Sequence, residues 1–242
     1  MTITQMHVAF KLILDKTESL QYPSFLPEEI DFWLNQGIIK FVKTRYSGTN
    51  SKREGFEQSQ KRIDDLRTLV RELTIPCTAT DAIKPNGYVL TNGFGNALFD
   101  APDGPYWLSL GEEVEIVFTS TNARPGVETR KRVGVTESTS NDYRWKVDDP
   151  VAPHVLHYDE AKPLRLFYND TIEFITDGNY TIDEAYIRFI KKPVEVSLTT
   201  PTDCDLAEVT HDEVVALAVQ LALENVEQPR LQTYSQAVNT ME

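Results

Sequence analysis

Cysteine is almost missing from this chain. Cys77 and Cys204 are the two thiols among 242 residues, too few for a disulfide framework. Each is expected to be a packed or idle thiol in a reducing cytoplasm. Long apolar runs are missing as well. The best local candidate, Val214 to Val226, is broken by Gln220, Glu224 and Asn225, short of the roughly 20 apolar residues that cross a bilayer. The opening Met1-Thr2-Ile3-Thr4-Gln5-Met6-His7 holds no basic stretch followed by an apolar run, so no secretory leader is predicted. Excess positive charge is also absent. A net charge of −13 and a pI near 4.8 argue against general affinity for DNA, RNA or an anionic membrane. Internal repeats and low-complexity tracts are not found.

What is present suits a folded protein of one large domain or two modest ones. Apolar residues make up 40% of the sequence, and eleven Phe and ten Tyr point to a core that leans on aromatics. Charge is unevenly spread. From Lys40 to Arg71 nine Lys and Arg (40, 43, 45, 52, 53, 61, 62, 67, 71) face four acids (54, 57, 64, 65), a local balance of +5 that leaves −18 for the rest. Such a stretch reads as a solvated helix face, or as a basic surface that meets an acidic one on a neighbouring subunit. Binding of single-stranded nucleic acid is disfavoured, since aromatics are not interleaved with the basic residues.

The first quarter follows helical periodicity. Met6, Ala9, Phe10, Ile13 and Leu14 share one face of a helix ending near Ser19. A second helix opens at Leu26-Pro27-Glu28-Glu29, where proline fits the first turn and the acids meet the positive end of the dipole. Its stripe is Ile30, Trp33, Leu34, Ile38, Phe41 and Val42. A third helix is expected from the capping-box sequence Ser51-Lys52-Arg53-Glu54 through Phe56, Ile63, Leu66, Val70 and Leu73, with Pro76 as its limit. The second and third helices would form an antiparallel hairpin. Another capping box, Thr210-His211-Asp212-Glu213, starts a last helix that Pro229 stops. Leu231 to Glu242 reads as an arm.

Between Tyr88 and Leu198 the pattern turns to strands and turns. Glu113 to Phe118, Tyr186 to Ile190 and Val194 to Leu198 read as strands. Leu164 to Tyr168 and Thr171 to Ile175 around Asn169-Asp170 read as a tight hairpin. Arg144 to Val147 and His154 to Tyr158 are lesser strand candidates.

Chemistry is sparse. His154, His157, Asp159 and Glu160 are the nearest approach to a metal cluster, but the spacing is that of no zinc pattern, and on a strand residues 154 and 157 face opposite ways. Asn92-Gly93-Phe94-Gly95-Asn96 has Leu98 where a dinucleotide turn needs its third glycine, and aromatic and proline-rich sequence follows instead of a helix. No nucleophile elbow occurs, and neither cysteine has a catalytic His signature nearby. Acid pairs such as Glu112-Glu113 and Asp148-Asp149 are ordinary in an acidic chain, and a glycosidase pair would come together only in the fold. The expectation is therefore no catalytic residue, no cofactor and no metal.

The flanks carry a resemblance. Phe25-Leu26-Pro27-Glu28-Glu29-Ile30-Asp31-Phe32-Trp33-Leu34-Asn35-Gln36-Gly37 continues through Phe41-Val42-Lys43-Thr44-Arg45-Tyr46 to the basic Lys61-Arg62-Ile63-Asp64-Asp65-Leu66-Arg67. These runs resemble the N-terminal helices of structural proteins of crAss-like tailed bacteriophages. Tyr186 to Pro193 is similar to a strand of the same proteins, and Cys204-Asp205-Leu206, Thr210 to Val215 and Leu223 to Tyr234 to their C-terminal helix and arm. The resemblance implies a virion protein of the portal vertex, made in the host cytoplasm, in a ring of about twelve copies. The ring would touch the portal protein and adjacent ring or tail proteins, and genomic DNA would pass through its lumen. The section from Gly87 to Ala161 has no counterpart in that resemblance.

The sequence thus predicts an α+β protein: an N-terminal helical hairpin and a C-terminal helix packed together, with an inserted β-rich module. The expected regions are 1–76 (helical), 77–200 (β-rich), 201–230 (C-terminal helix) and 231–242 (arm). Its expected function is structural and non-enzymatic: a homo-oligomeric ring of the head-to-tail connector, without membrane contact. A heterologous ring interface needs two different surfaces per subunit, which the uneven charge can supply. The alternative is a carbohydrate- or receptor-binding β-module, with Tyr106, Trp107 and Trp145 stacking on sugars.

Overall fold

The computed structural model describes residues 1–17, 25–47, 56–91, 104–118, 129–157, 160–168 and 171–225. Its chain divides into two units, Met1–Val70 with Pro193–Glu242, and Arg71–Lys192.

The first unit is helical. Helix α1 spans Ile3–Thr17 and α2 spans Pro27–Tyr46. At the start of α2, the Glu29 carboxylate accepts the Leu26 N–H at 2.8 Å, which satisfies a donor that the helix itself leaves free. A short α3, Gln60–Leu66, lies between two 3-10 turns, and a third such turn leads into α5, His211–Asn225. Met6, Phe10, Ile30, Leu34, Ile38, Phe41, Leu66, Val214, Ala218 and Ala222 are essentially without solvent exposure. Gly37 is where α2 comes closest to α5. A Cβ there would lie 3.0 Å from the Val214 carbonyl oxygen and 3.1 Å from both Ala218 Cβ and N.

The structure departs from expectation at three places in this unit. The long third helix is replaced by the seven residues of α3, because the chain becomes strand at Val70. Leu66, Val70 and Leu73 fit a helical repeat, but Leu73, Ile75 and Cys77 fit a repeat of two. The β-branched Thr74 and Ile75, with Pro76 unable to donate a helical hydrogen bond, favour the second. The C-terminal capping box is not made either. Thr210 Oγ1 donates to Ala207 O at 2.7 Å, and Glu213 binds Arg45 and Lys61. Val194 to Leu198 forms no strand of the sheet; it lies along α2. The expected capping box at 51–54, the 92–96 turn and the arm at 231–242 fall outside the described residues.

The second unit is built on an eight-stranded sheet in the order β4-β3-β8-β1-β2-β7-β6-β5. The strands are β1 Val70–Thr78, β2 Gly87–Leu90, β3 Tyr106–Phe118, β4 Arg130–Gly134, β5 Thr136–Glu137, β6 Leu164–Tyr168, β7 Thr171–Ile175 and β8 Tyr180–Lys191. The expected 164–175 hairpin forms, with Tyr168 opposite Thr171. Arg144 to Val147 is not a strand but part of helix α4, Tyr143–Asp148, whose Tyr143 and Val147 cover Leu164, Leu166 and Ile175. Val114, Ile116, Ile172, Phe174, Tyr180, Ile182, Ile187 and Phe189 form the core. At Gly87 a Cβ would stand 2.3 Å from Glu173 Oε1, so only glycine lets that buried carboxylate reach the Lys84 N–H at 2.7 Å.

Strand numbering hides a closure. β4 and β5 are one extended segment separated by Val135. The first half pairs antiparallel with β3 and the second pairs parallel with β6. The two ends of the sheet are thereby joined, which removes most of its free edge.

Candidate assembly surfaces

The basic stretch is the natural place to look for a charged interface in the helical unit. The structure turns Arg45 and Arg62 inward and leaves Lys43, Lys61 and Arg67 exposed. Arg45 is 3% exposed; its Nε donates to Asp65 Oδ2 at 3.0 Å and its Nη2 to Glu213. Lys61 Nζ reaches Glu213 Oε1 at 3.2 Å. Arg62 is equally buried and donates to Thr44 O at 3.3 Å. Burial raises the Asp65 pKa above the usual carboxylate range, and Arg45 works against that shift. Arg45, Lys61 and Arg62 thus tie α2, α3 and α5 together. Lys52 and Arg53 lie outside the described residues.

On another side of α2, Asp31 and Asn35 stand one turn apart and hold the chain returning at 196–198. Asn35 Nδ2 donates to Val196 O at 3.0 Å, and Asn35 Oδ1 accepts the Val196 N–H at 2.9 Å. Asp31 Oδ2 accepts the Leu198 N–H at 3.0 Å, while Oδ1 meets His7 Nε2 at 2.6 Å.

In the β unit, the closure is bridged by charge. Arg165 on β6 pairs with Glu112 on β3 and, at 2.7 Å, with Glu137 on β5. Glu112 also accepts the Ser109 hydroxyl. The outer face of the sheet carries a ladder of exposed ion pairs: Arg132 with Glu72 and Glu113, Arg188 with Glu72, and Arg130 with Glu115 and Asp183. The Arg132 guanidinium lies 3.9 Å above the Tyr186 ring.

Beside β4 the wall opens. A cavity of about 750 Å³ lies between Lys131, Val133 and Gly134 on one side and Val151, Pro153, His157 and Lys162 on the other. No motif noted in the sequence covers this strand. The available signal is the consecutive Arg130-Lys131-Arg132, the kind of charge that natural edge strands carry.

The sequence candidates are not gathered into one site. His154 is 2% exposed, and burial lowers its pKa. His157 is exposed at a short bridge to Glu160, and Asp159 is outside the described residues. Among the described residues, no group of three or more His, Cys, Asp or Glu could hold a metal ion. Tyr106 packs on Phe189 with ring centroids 5.3 Å apart, Trp107 is half-buried on the same strand, and Trp145 is 82% exposed on α4. Burial raises the Cys77 thiol to about 12 and the Cys204 thiol to about 11, so neither is an activated nucleophile. Among the described residues no helix is long and apolar enough to cross a membrane.

No curated protein matches the sequence. The family model described as phage tail ring protein 3/4 matches residues 1–233. Since that span is nearly the whole chain, the likeness does not rest on the helical flanks alone but includes the central β section. The chain belongs to the phage tail ring protein 3/4 family, structural proteins of the virion.

Proposed function

We propose that the chain is one subunit of a homo-oligomeric ring in the head-to-tail connector, beneath the portal, with about twelve copies around the axis. The observation that carries this reading is the family match over residues 1–233. Two features support it. The β unit has a nearly closed sheet with an open stretch of edge along β4 among the described residues, and the chain is acidic at −13, which suits a lumen through which DNA must pass without tight phosphate contacts. The ring would meet the portal on one side and another ring or tail protein on the other. It acts as a scaffold, without chemistry.

The test is cryo-EM of intact particles together with mass photometry of the purified chain. The reading expects a closed ring of this chain at the head–tail junction. A chain that is absent from particles, or present as single copies, defeats it. A sugar-stacking role finds less support, since Tyr106 is engaged by Phe189 and Trp145 stands on a different element.

A further inference from the structure

The open stretch of sheet edge has a definite geometry. Phe118 N–H donates to Thr129 O at 3.0 Å, and the register then places Ile116 opposite Lys131 and Val114 opposite Val133. Hydrogen-bonded pairs alternate with non-bonded ones along an antiparallel ladder. Lys131 and Val133 therefore turn their backbone groups toward β3, whereas Arg130, Arg132 and Gly134 turn theirs outward. Further along the same edge, Thr136 N–H donates to Pro163 O at 2.8 Å and Ser138 N–H to Arg165 O at 3.0 Å. Pairing with β6 thus begins only at Thr136. Among the described residues the outward N–H and C=O groups of Arg130, Arg132 and Gly134 have no backbone partner.

Gly134, one of the three outward-turned residues, lines the cavity of about 750 Å³ together with its neighbours Lys131, Val133 and Thr136. The charged groups lining it, among the described residues, are Lys131 and Lys162 against Glu160, a net positive slot on a chain of net charge −13. Val133, Val151 and Val155 add apolar surface to its lining. Backbone donors and acceptors at a two-residue repeat, beside pockets for alternate side chains, are what an added strand requires.

We propose that this slot receives an extended acidic segment of a second copy of the chain, which adds a strand to β4 and links adjacent subunits. The inference rests on the ring reading above and names the contact through which the copies associate. A second copy is favoured over another tail protein because ring proteins associate with themselves and because the chain's excess of acid complements the slot.

Gly134→Pro tests it. The Gly134 N–H faces outward, and a Cβ there meets nothing within 4 Å. Proline therefore removes one slot donor and leaves the β3 ladder intact. Gly134→Ala is the control, and Lys131→Glu inverts a slot charge without touching the backbone. Assembly of the full chain is followed by mass photometry against concentration, with hydrogen exchange at residues 130, 132 and 134. The wild type should oligomerise with those amides slowed at least tenfold. Gly134→Pro should raise the concentration for half-assembly roughly tenfold, Lys131→Glu should raise it as well, and Gly134→Ala should match the wild type. Assembly unchanged in Gly134→Pro and Lys131→Glu, with those amides still exchanging freely, overturns this inference and leaves the ring reading standing. A wild type that never self-associates, alone or in particles, overturns both. Protection that comes only when a different tail protein is added assigns the slot to that protein and overturns the inference.

Discussion

Removing Arg165 should destabilise the β unit far more than neutralising its partner Glu112, and the reason lies in what each leaves behind. The Arg165 and Glu112 side chains are 8% and 3% exposed. Arg165 has a second carboxylate, Glu137, at 2.7 Å, and that group is 80% exposed. Among the described residues the Glu112 carboxylate meets Arg165 and the Ser109 hydroxyl. Arg165→Met therefore strands a buried carboxylate with a single neutral donor, a loss of about 3–5 kcal/mol. Glu112→Gln keeps an acceptor for Ser109, and Arg165 retains Glu137, so the cost is about 1–2 kcal/mol. The double variant Arg165→Met/Glu112→Leu should recover most of the larger loss, since a well-packed apolar pair often equals a buried ion pair in stability. Urea unfolding at neutral pH, read by far-UV circular dichroism and tyrosine fluorescence, measures all three. Equal losses for the two single changes, or a loss below about 1 kcal/mol for Arg165→Met, would refute the claim that this pair holds the closure.

Three further outcomes follow from packing and burial. Gly37→Ala gains about 1 kcal/mol of helix propensity, but its Cβ would press on the α5 backbone at 3.0–3.1 Å. Separating two packed helices costs about 1–3 kcal/mol, so thermal melts should show a net loss, larger for Gly37→Val. Tyr180 is fully buried and its hydroxyl donates to His154 O at 2.8 Å, so Tyr180→Phe should cost about 1–3 kcal/mol by orphaning that carbonyl. For His154, burial lowers the folded pKa below 6.5, with Asp177 and Asp149 partly offsetting the shift. The unfolded chain then binds the proton more readily. Stability is complete above pH 6.5 and falls on acidification below it, by up to about 1.4 kcal/mol per pH unit. Urea midpoints for wild type and His154→Gln should diverge in that direction between pH 7.5 and 5.5, and parallel curves would contradict it.

Sequence periodicity located the elements that bury a single clean face. Pro27 with Glu28 and Glu29 marks the start of α2 because each residue suits a helix N-terminus for its own reason, and the end of β8 is legible because Ile187 and Phe189, at a repeat of two, flank Arg188. Two patterns misled. From Leu66 to Leu73 apolar residues satisfy both helical and strand repeats, and the sheet partner that decides between them is distant in sequence. Trp145 and Val147 alternate with Arg144 and Lys146 and so imitate a strand, although Tyr143 and Val147, four residues apart, are what pack on β6. The basic stretch was legible only in part. Its charge balance is a true property of the sequence, but Arg45 finds Asp65 and Glu213, twenty and 168 residues away, and no local pattern announces a partner at that range.

The open edge of β4 was the least legible feature, since it is a property of pairing and not of composition. Three successive basic residues read as ordinary surface. Only the register with β3, and the fact that β6 begins to pair at Thr136, show that the outward backbone groups of Arg130, Arg132 and Gly134 have no partner among the described residues. A closed sheet abolishes edges, and in this nearly closed sheet the stretch 130–134 keeps a segment available for association. On that ground the charges there have a double consequence. Arg130 and Arg132 are held on the outer face by Glu115, Asp183, Glu72 and Glu113, and charge on an edge strand discourages indiscriminate pairing. Lys131 lines the slot itself and selects an acidic partner over a neutral one. The same device that protects a lone subunit from aggregating would therefore direct it to its neighbour.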